Sequence, residues 1–316
     1  MEKRRFTVPS SDGVTTLHGI HWIPEGEVRA VFQIVHGMVE HIGRYEELAA
    51  HMTEVGFAVI GHDHLGHGET AGSPEDLGYF ADEKGDACLV KDMHRVTCLA
   101  KRLHPGVSVF ILGHSMGSFL LRRYITRYGK EIQGAVICGT GDFRETEVRT
   151  GLVLAERLEK LRGRHFRSQL LNAAALGQFT MQYGNRLRPG SWLSRNEASV
   201  EAYRRDPLCQ FTFTVGAYHD FFHLLKELCE EKDFAEIPRA LPVLFVSGMD
   251  DPLGGYTKRV LRVYNRFVEM GMQDVDIYLY PDDRHEVLNE LDRDQVHQDI
   301  LRWMECRLTA DGEDGV

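Results

Sequence analysis

The chain has 316 residues, of which 43% are hydrophobic and 27% are charged, and its formal net charge at pH 7 is −10. These proportions are ordinary for a globular protein with a large core, and the acidic balance argues against nucleic-acid binding, which needs a basic face. The chain shows no signal peptide and no apolar run long enough to span a bilayer, so we expect a cytoplasmic protein whose six cysteines stay reduced.

The first part of the chain alternates predicted strands with predicted helices. Two short strands around a turn open it, and four apolar runs of the kind that is buried on both faces of a sheet follow. The strands are predicted at residues 4–9, 17–23, 30–35, 57–61, 107–112 and 134–139, and the helices at 48–55, 86–103 and 119–125. This alternation indicates a mostly parallel sheet flanked by helices.

The alternation stops between residues 142 and 235 and then resumes. The interrupted stretch contains four helix-like segments rich in arginine and aromatic residues, at residues 148–161, 168–176, 197–204 and 211–229. Two further strands and two helices follow, at residues 241–247, 256–270, 275–280 and 293–307, and the alternating pattern of the last strand places it at a sheet edge. We therefore predict a core of residues 1–141 and 236–316 and a helical cap of residues 142–235. Apolar residues at the junction of core and cap would form a binding cleft.

A pentapeptide, Gly113-His114-Ser115-Met116-Gly117, lies between a predicted strand and a predicted helix. Strand, sharp turn and helix form the context in which G-x-S-x-G exposes a nucleophilic serine. Glycine at both flanking positions leaves room for the strained turn. Serine also needs a base, an orienting acid and donors for an oxyanion, and in a parallel sheet these are expected at the carboxyl ends of strands.

Candidates for the base and the acid follow the last two predicted strands. His285 follows the final strand and precedes a helix, and Asp250 and Asp251 follow the strand before it. The chain order serine, acid, histidine is that of α/β-hydrolase triads. Other histidines compete for the role of base: His36, His62, His64, His67, His114 and His219.

The oxyanion donors are expected to be backbone N–H groups. Met116 follows the serine at the start of a helix, where amides point outward. Met38 lies in the loop after the strand at residues 30–35 and fits as the second donor. In both cases the amide acts, and the side chain is immaterial.

Three histidines in the stretch Gly61-His62-Asp63-His64-Leu65-Gly66-His67-Gly68 suggest a metal-dependent hydrolase as an alternative. A zinc enzyme would want further ligands elsewhere in the chain. The competing interpretation is a loop of glycines and polar residues that hydrogen-bond to the backbone. Because a serine apparatus competes for the same site, we expect no metal and no cofactor.

Four stretches carry a family resemblance: residues 36–45 (HGMVEHIGRY), 61–68 (GHDHLGHG), 113–118 (GHSMGS) and 280–286 (YPDDRHE). They resemble the monoacylglycerol lipase and bacterial lysophospholipase branch of the α/β-hydrolases, which is also classified as serine aminopeptidase S33. The resemblance covers roughly residues 15–140 and 235–305 and implies the α/β-hydrolase fold.

The resemblance also implies site residues and chemistry. The family pattern places the acid on Asp251 and the oxyanion amides on Met38 and Met116, beside Ser115 and His285. It implies a serine esterase acting on acyl glycerols or lysophospholipids. The sequence departs from the pattern at Ser118, where glycine is common, and at Thr70, where serine is usual.

Other functions stay open at this point. An aminopeptidase of the same fold would need cap carboxylates to hold an ammonium group, for which Glu197, Glu201 and Asp206 are available. A non-catalytic binding protein would have no use for the complete triad. We expect a small acyl ester or lipid as the substrate, no nucleic-acid partner, and transient contact of the cap with a membrane surface.

Overall fold

A computed structural model of the chain describes residues 1–182 and 190–309, with side chains for 1–175 and 190–308. Residues 183–189 of the predicted cap and 310–316 of the predicted core therefore lie outside the described residues. Within the described part, no helix combines the length and the apolarity that crossing a bilayer requires.

Eight strands form one sheet. They are β1 (Glu2–Pro9), β2 (Thr16–Ile23), β3 (Ala30–Val35), β4 (Phe57–His62), β5 (Val109–His114), β6 (Gly134–Cys138), β7 (Val243–Gly248) and β8 (Val275–Tyr280). The spatial order is β1-β2-β4-β3-β5-β6-β7-β8, with β1 and β2 antiparallel to their neighbours and the remaining pairs parallel. This order confirms the predicted α/β-hydrolase fold and the predicted edge position of β8.

The helices lie on both faces of the sheet and in one long insertion. They are α1 (Glu46–Glu54), α2 (Gly85–Leu103), α3 (Met116–Tyr128), α4 (Glu145–Arg162), α5 (Gln169–Gln182), α6 (Glu197–Arg205), α7 (Val215–Cys229), α8 (Lys258–Glu269) and α9 (Arg293–Thr309). Helices α4 to α7 form the insertion between β6 and β7. Helix α7 begins four residues later than predicted, because the Thr214 side chain accepts the Ala217 N–H and caps the helix there.

Alternate residues of the central strands enter two separate apolar layers. In β3, Val31 and Val35 pack into the layer that contains α2, α3 and α8, whereas Phe32 and Ile34 pack into the layer that contains α1 and α9. All six residues of β3 are buried. This two-sided burial explains why the inner parallel strands are nearly continuous apolar runs in the sequence.

Backbone hydrogen bonds are among the contacts that join the insertion to the rest of the molecule. The N-terminus of α7 pairs with the loop after β4, where Thr214 N–H donates to the Gly78 carbonyl at 2.9 Å. The segment before α6 pairs with the loop after β8, where Glu286 N–H donates to the Leu193 carbonyl at 2.7 Å. Helix α7 also shares an apolar layer with α2 and α3. The insertion therefore covers the carboxyl edge of the sheet, and its division from the core at residues 142 and 235 stays a prediction.

Candidate active site

Ser115 lies at the junction of β5 and α3 in a strained backbone conformation. Its φ is 54° and its ψ is −117°, in a region that residues other than glycine rarely adopt. Its N–H donates to the Cys138 carbonyl of β6 at 3.0 Å, which ties the turn to the sheet. The side chain is half-buried and lines a cavity.

The two flanking glycines make this turn possible. A Cβ atom at Gly113 would lie 2.3 Å from the Gly117 carbonyl oxygen, and one at Gly117 would lie 2.1 Å from the Val35 oxygen. Both distances are far below van der Waals contact, so α3 approaches the ends of β5 and β3 this closely only with glycine at both positions. Ser118 stabilises the same turn, because its hydroxyl donates to the Ser115 carbonyl at 2.6 Å.

His285 and Asp251 form a buried pair at the carboxyl ends of β8 and β7. His285 Nδ1 lies 3.0 Å from Asp251 Oδ2, and both side chains are almost fully buried. Because a carboxylate accepts, Nδ1 carries the hydrogen and Nε2 is left to accept a proton. Asp251 Oδ1 accepts the Leu253 N–H at 2.8 Å, which fixes the carboxylate plane. Asp250, the competing acid, is exposed.

One cavity brings the predicted nucleophile and base together. It has a volume of about 380 Å³, and its lining includes Ser115, His285, Met38 and Met116. These residues follow three different strands, β3, β5 and β8, whose carboxyl ends meet at one edge of the sheet. The structure therefore gathers the predicted site residues in one place, with Asp251 behind His285.

The loop after β3 approaches the nucleophile closely. A Cβ atom at Gly37 would lie 3.0 Å from Ser115 Cβ. The Gly37 N–H donates to Glu40 Oε1 at 2.5 Å, and the Val39 N–H donates to His67 Nε2 at 3.3 Å. The amides on both sides of Met38 are thus held by the protein, and they fix the loop that carries the predicted oxyanion donor.

His67, from the histidine-rich stretch of residues 61–68, supports this loop. His67 Nδ1–H donates to the Leu65 carbonyl at 3.0 Å, while its Nε2 accepts from Val39 as described above. Burial lowers the pKa of His62 and of His67 to about 4. The neighbouring carboxylate of Asp63 accepts two backbone N–H groups, each at 2.8 Å. Thr70 continues this pattern, since its hydroxyl donates to the Asp63 carbonyl at 2.7 Å.

The structure does not assemble these histidines into a metal site. Among the described side chains, the groups close enough to share an ion lie elsewhere, and none of them contains His62, His64 or His67. The interpretation as a hydrogen-bonded loop is therefore the one that fits the geometry.

The far wall of the cavity is apolar and comes from the insertion. Helices α4, α5 and α7 and the segment before α6 contribute Val148, Gly151, Leu154, Leu171, Trp192, Phe221, Phe222 and Leu225. The Trp192 ring lies 4.9 Å from the His285 ring, centroid to centroid. The cavity thus has an apolar end under the insertion and a polar end at Ser115, which suits a substrate with an apolar chain next to its reacting group.

A buried ionic cluster forms the floor of the polar end. Arg44 donates to Glu40 Oε2 at 2.7 Å and to both oxygens of Glu286, at 2.9 and 2.7 Å. Burial works against ionisation of Glu286, but the Arg44 charge and its hydrogen bonds outweigh it and lower the pKa of that carboxyl. Sequence reasoning missed Glu286 and Arg44, because their 242-residue separation leaves no local signal. Both residues, like Glu40, stood in the motifs that carry the family resemblance, but without an assigned role.

The three cap carboxylates considered for an aminopeptidase lie outside this cavity. None of Glu197, Glu201 and Asp206 is among the described residues that line it. Glu201 accepts from Arg205 at 2.7 Å, and Asp206 pairs with His41 at 2.8 Å.

The chain is similar to known lipases and esterases in sequence and in fold. The sequence model of the family described as serine aminopeptidase, S33 matches residues 26–292. A monoglyceride lipase homolog of monkeypox virus is 32% identical, with 90% of this chain and 92% of that protein aligned. The monoacylglycerol lipase of Mycolicibacterium smegmatis is 26% identical, with 94% and 95% aligned. A carboxyl esterase from Bacillus coagulans, solved with glycerol, superposes with a TM-score of 0.90 at 26% identity, covering 98% of this chain and 99% of that one.

Proposed function

This chain belongs to the serine aminopeptidase S33 family of α/β-hydrolases, and on that premise we propose that it cleaves carboxylic esters through an acyl-enzyme formed on Ser115. The chain is a carboxylic ester hydrolase, like the lipases and the esterase that it resembles over at least 90% of its length. The observation that supports the serine mechanism is that Ser115 and His285 line the same cavity, while Asp251 accepts a hydrogen bond from His285.

In the proposed reaction, Ser115 Oγ attacks the ester carbonyl carbon while His285 Nε2 takes the hydroxyl proton. His285 then gives this proton to the leaving alcohol, and the acyl group remains on Ser115. Water, activated by the same nitrogen, attacks the acyl-enzyme and releases the carboxylic acid. Asp251 holds the imidazole tautomer throughout and stabilises the imidazolium that forms in each half of the reaction.

The oxyanion formed in each step is assigned to the N–H groups of Met38 and Met116. Met116 begins α3, so its amide lies at the positive end of that helix. The bonds from Gly37 and Val39 to Glu40 and His67 hold the Met38 amide in place before the substrate arrives. Fixed donors of this kind cost no reorganisation during the reaction.

The substrate that the cavity favours is a single-chain acyl ester, such as a monoacylglycerol or a lysophospholipid. A volume of about 380 Å³ holds one acyl chain. Residues 142–235 would act as a cap that selects the chain, since α4, α5 and α7 supply the apolar wall.

We also propose that the cap meets the surface of lipid aggregates. Leu161 at the end of α4 and Leu170 in α5 are 78% and 65% exposed. Exposed apolar residues on the insertion that lines the cavity favour brief contact with a membrane or micelle.

A substrate panel with the wild type and Ser115→Ala tests the proposal. The panel contains p-nitrophenyl esters of rising chain length, a monoacylglycerol, lysophosphatidylcholine and proline-naphthylamide. We expect the wild type to hydrolyse the esters and the alanine variant to lose at least about a thousandfold in kcat. Ester hydrolysis that survives in the alanine variant, or turnover of the naphthylamide in place of the esters, would contradict the proposal.

A further inference from the structure

His114, the residue before the nucleophile, is buried between two hydrogen-bond acceptors. Its Nδ1 lies 3.2 Å from Glu40 Oε1, and its Nε2 lies 3.3 Å from the backbone carbonyl oxygen of His285. A carbonyl oxygen can only accept, so Nε2 must carry a hydrogen. A neutral imidazole has one N–H group, and Nδ1 would then face the carboxylate with its lone pair.

Glu40 is a carboxylate in this environment. Besides His114, it accepts from the Gly37 N–H, from Arg44 at 2.7 Å and from the Tyr45 hydroxyl at 3.0 Å. The Gly37 amide and Arg44 can only donate, and donors of this kind favour the ionised carboxylate. Burial raises the pKa of Glu40, but the His114 hydrogen bond and the Arg44 charge outweigh it and hold that pKa below its usual value.

The charges of the cluster balance when His114 is protonated. Glu40 and Glu286 are the two anions, and Arg44 supplies one cation. Tyr45 and Cys138 also face this cluster, and burial raises the pKa of both, so they are neutral at pH 7. Tyr203, Cys209 and His67 lie near it as well. Burial raises the pKa of the first two and lowers the pKa of His67 to about 4, so all three are neutral at pH 7. His285 and Asp251 are bonded to each other. A neutral His114 would leave one buried negative charge without a partner, which is costly.

We propose that His114 is a buried imidazolium that positions both the base and the oxyanion loop. Through Nε2 it holds the backbone of His285, and through Glu40 it holds the Gly37 amide next to Met38. One cation thereby fixes the loops after β3 and β8 relative to Ser115. Its role in the reaction rests on the proposed serine mechanism, whereas its charge state does not. It is a positioning residue, since no step passes through its ring.

The charge of His114 makes the arrangement dependent on pH. Burial lowers the pKa of His114, but the Glu40 hydrogen bond and charge outweigh it, so the net pKa is raised above that of an ordinary histidine. His114 is therefore fully protonated at pH values well below its raised pKa, and it loses its charge as the pH rises through that pKa. A neutral His114 would turn a nitrogen lone pair towards either the Glu40 carboxylate or the His285 carbonyl oxygen. The hydrogen bond on that side would be lost, and the loop that it holds would be released.

The charge state can be measured without any substrate. The measurement is the ¹⁵N magnetic resonance spectrum of uniformly labelled Ser115→Ala protein at pH 7.5. We expect this spectrum to show a histidine with both ring nitrogens protonated. The signal is expected to disappear when the protein also carries His114→Gln or Glu40→Gln. A spectrum of the folded Ser115→Ala protein in which no doubly protonated histidine responds to Glu40→Gln would overturn the proposal, even if His114→Gln fails to fold.

The positioning role is tested by kinetics on the protein with Ser115 intact. We expect His114→Gln to lower kcat about tenfold to a hundredfold with little change in KM, because the reacting groups are misplaced while the acyl cavity is untouched. Glu40→Gln is expected to move the alkaline loss of kcat to lower pH by about one unit or more. The matched control is His94→Gln on α2. The His94 ring lies outside the cavity and meets Glu131 at a distance of 3.1 Å, so we expect the kinetics of this variant to stay unchanged.

Wild-type kcat in His114→Gln, or an unshifted pH profile in Glu40→Gln, would refute the positioning role. Absence of ester hydrolysis in the wild type together with the doubly protonated signal would refute the proposed function and leave the imidazolium intact.

Discussion

Two adjacent aspartates show how position decides chemistry at the scale of the residue. Asp251 is buried and bonded to His285, whereas Asp250 is exposed one residue earlier. In the proposed mechanism the Asp251 carboxylate selects the histidine tautomer that leaves Nε2 free to accept a proton. An amide at this position can donate to Nδ1 and favour the wrong tautomer.

Asp251→Asn is therefore expected to lower kcat by about a thousandfold to ten-thousandfold, with KM changed little. The measurement is steady-state hydrolysis of a p-nitrophenyl ester at pH 7.5. Asp250→Asn is the matched control and is expected to retain wild-type kcat. Equal losses in the two variants would show that Asp251 has no special role.

The sequence was sufficient to predict those candidate site residues that lie at or after the end of a strand. Ser115 directly follows β5, and Met38 and His285 lie in the loops that follow β3 and β8, so their meeting at one edge of the sheet followed from the parallel topology. The residues that it could not predict depend on pairings between distant segments. His114 meets Glu40 across 74 residues, and Arg44 meets Glu286 across 242.

At the scale of the element, the packing of α4 on α7 sets the size of the acyl cavity. Gly151 of α4 faces the Phe222 ring of α7, and a Cβ atom at Gly151 would lie 2.7 Å from that ring. Both residues line the cavity. A larger side chain at residue 151 must displace Phe222 or extend into the cavity.

Gly151→Val is expected to lower kcat/KM for long-chain esters about tenfold or more relative to acetate and butyrate esters, because the cavity becomes shorter. The measurement is the ratio of kcat/KM values across a series of p-nitrophenyl esters. Val153→Ala provides a control on the same helix, since that side chain is 44% exposed and leaves the ratio unchanged. A chain-length profile of Gly151→Val that matches the wild type would place the acyl group elsewhere.

Elements buried on both faces were the easiest to predict. β3 has the predicted bounds, Ala30–Val35, because its apolar run coincides with its pairing to β4 and β5. The predicted start of α7 was wrong because Phe211 and Phe213 fit a helical apolar pattern. In the structure, tertiary packing buries Phe213 before the helix begins. Local periodicity does not distinguish these two causes of burial.

At the scale of the whole molecule, buried neutral histidines link stability to pH. His36, His62, His64 and His67 are fully buried, and desolvation lowers the pKa of each. In the unfolded chain they take up protons near pH 6.5, whereas in the folded protein His62 and His67 do so only near pH 4. The contribution of these four histidines to the free energy of unfolding is therefore complete above pH 6.5 and falls as the pH is lowered from 6.5 towards 4.

We expect the free energy of unfolding in urea to drop by about 2 kcal/mol between pH 7.5 and pH 5 for each such histidine. His62→Met removes one contribution, so its pH dependence should be smaller than that of the wild type by about this amount. Among the described residues the His62 ring nitrogens have no hydrogen-bond partner, so the substitution sacrifices no such bond. An identical pH dependence in the variant would show that His62 is protonated equally in both states.

The proposed reaction requires Ser115 to be the covalent nucleophile, and labelling of the active site tests this requirement. Wild-type protein is treated with a fluorophosphonate, and the modified residue is located by mass spectrometry of the digested chain. We predict a single adduct on Ser115, no adduct in Ser115→Ala, and labelling slowed at least about a hundredfold in Asp251→Asn. An adduct on another residue, or labelling of Ser115→Ala at the wild-type rate, would contradict the account.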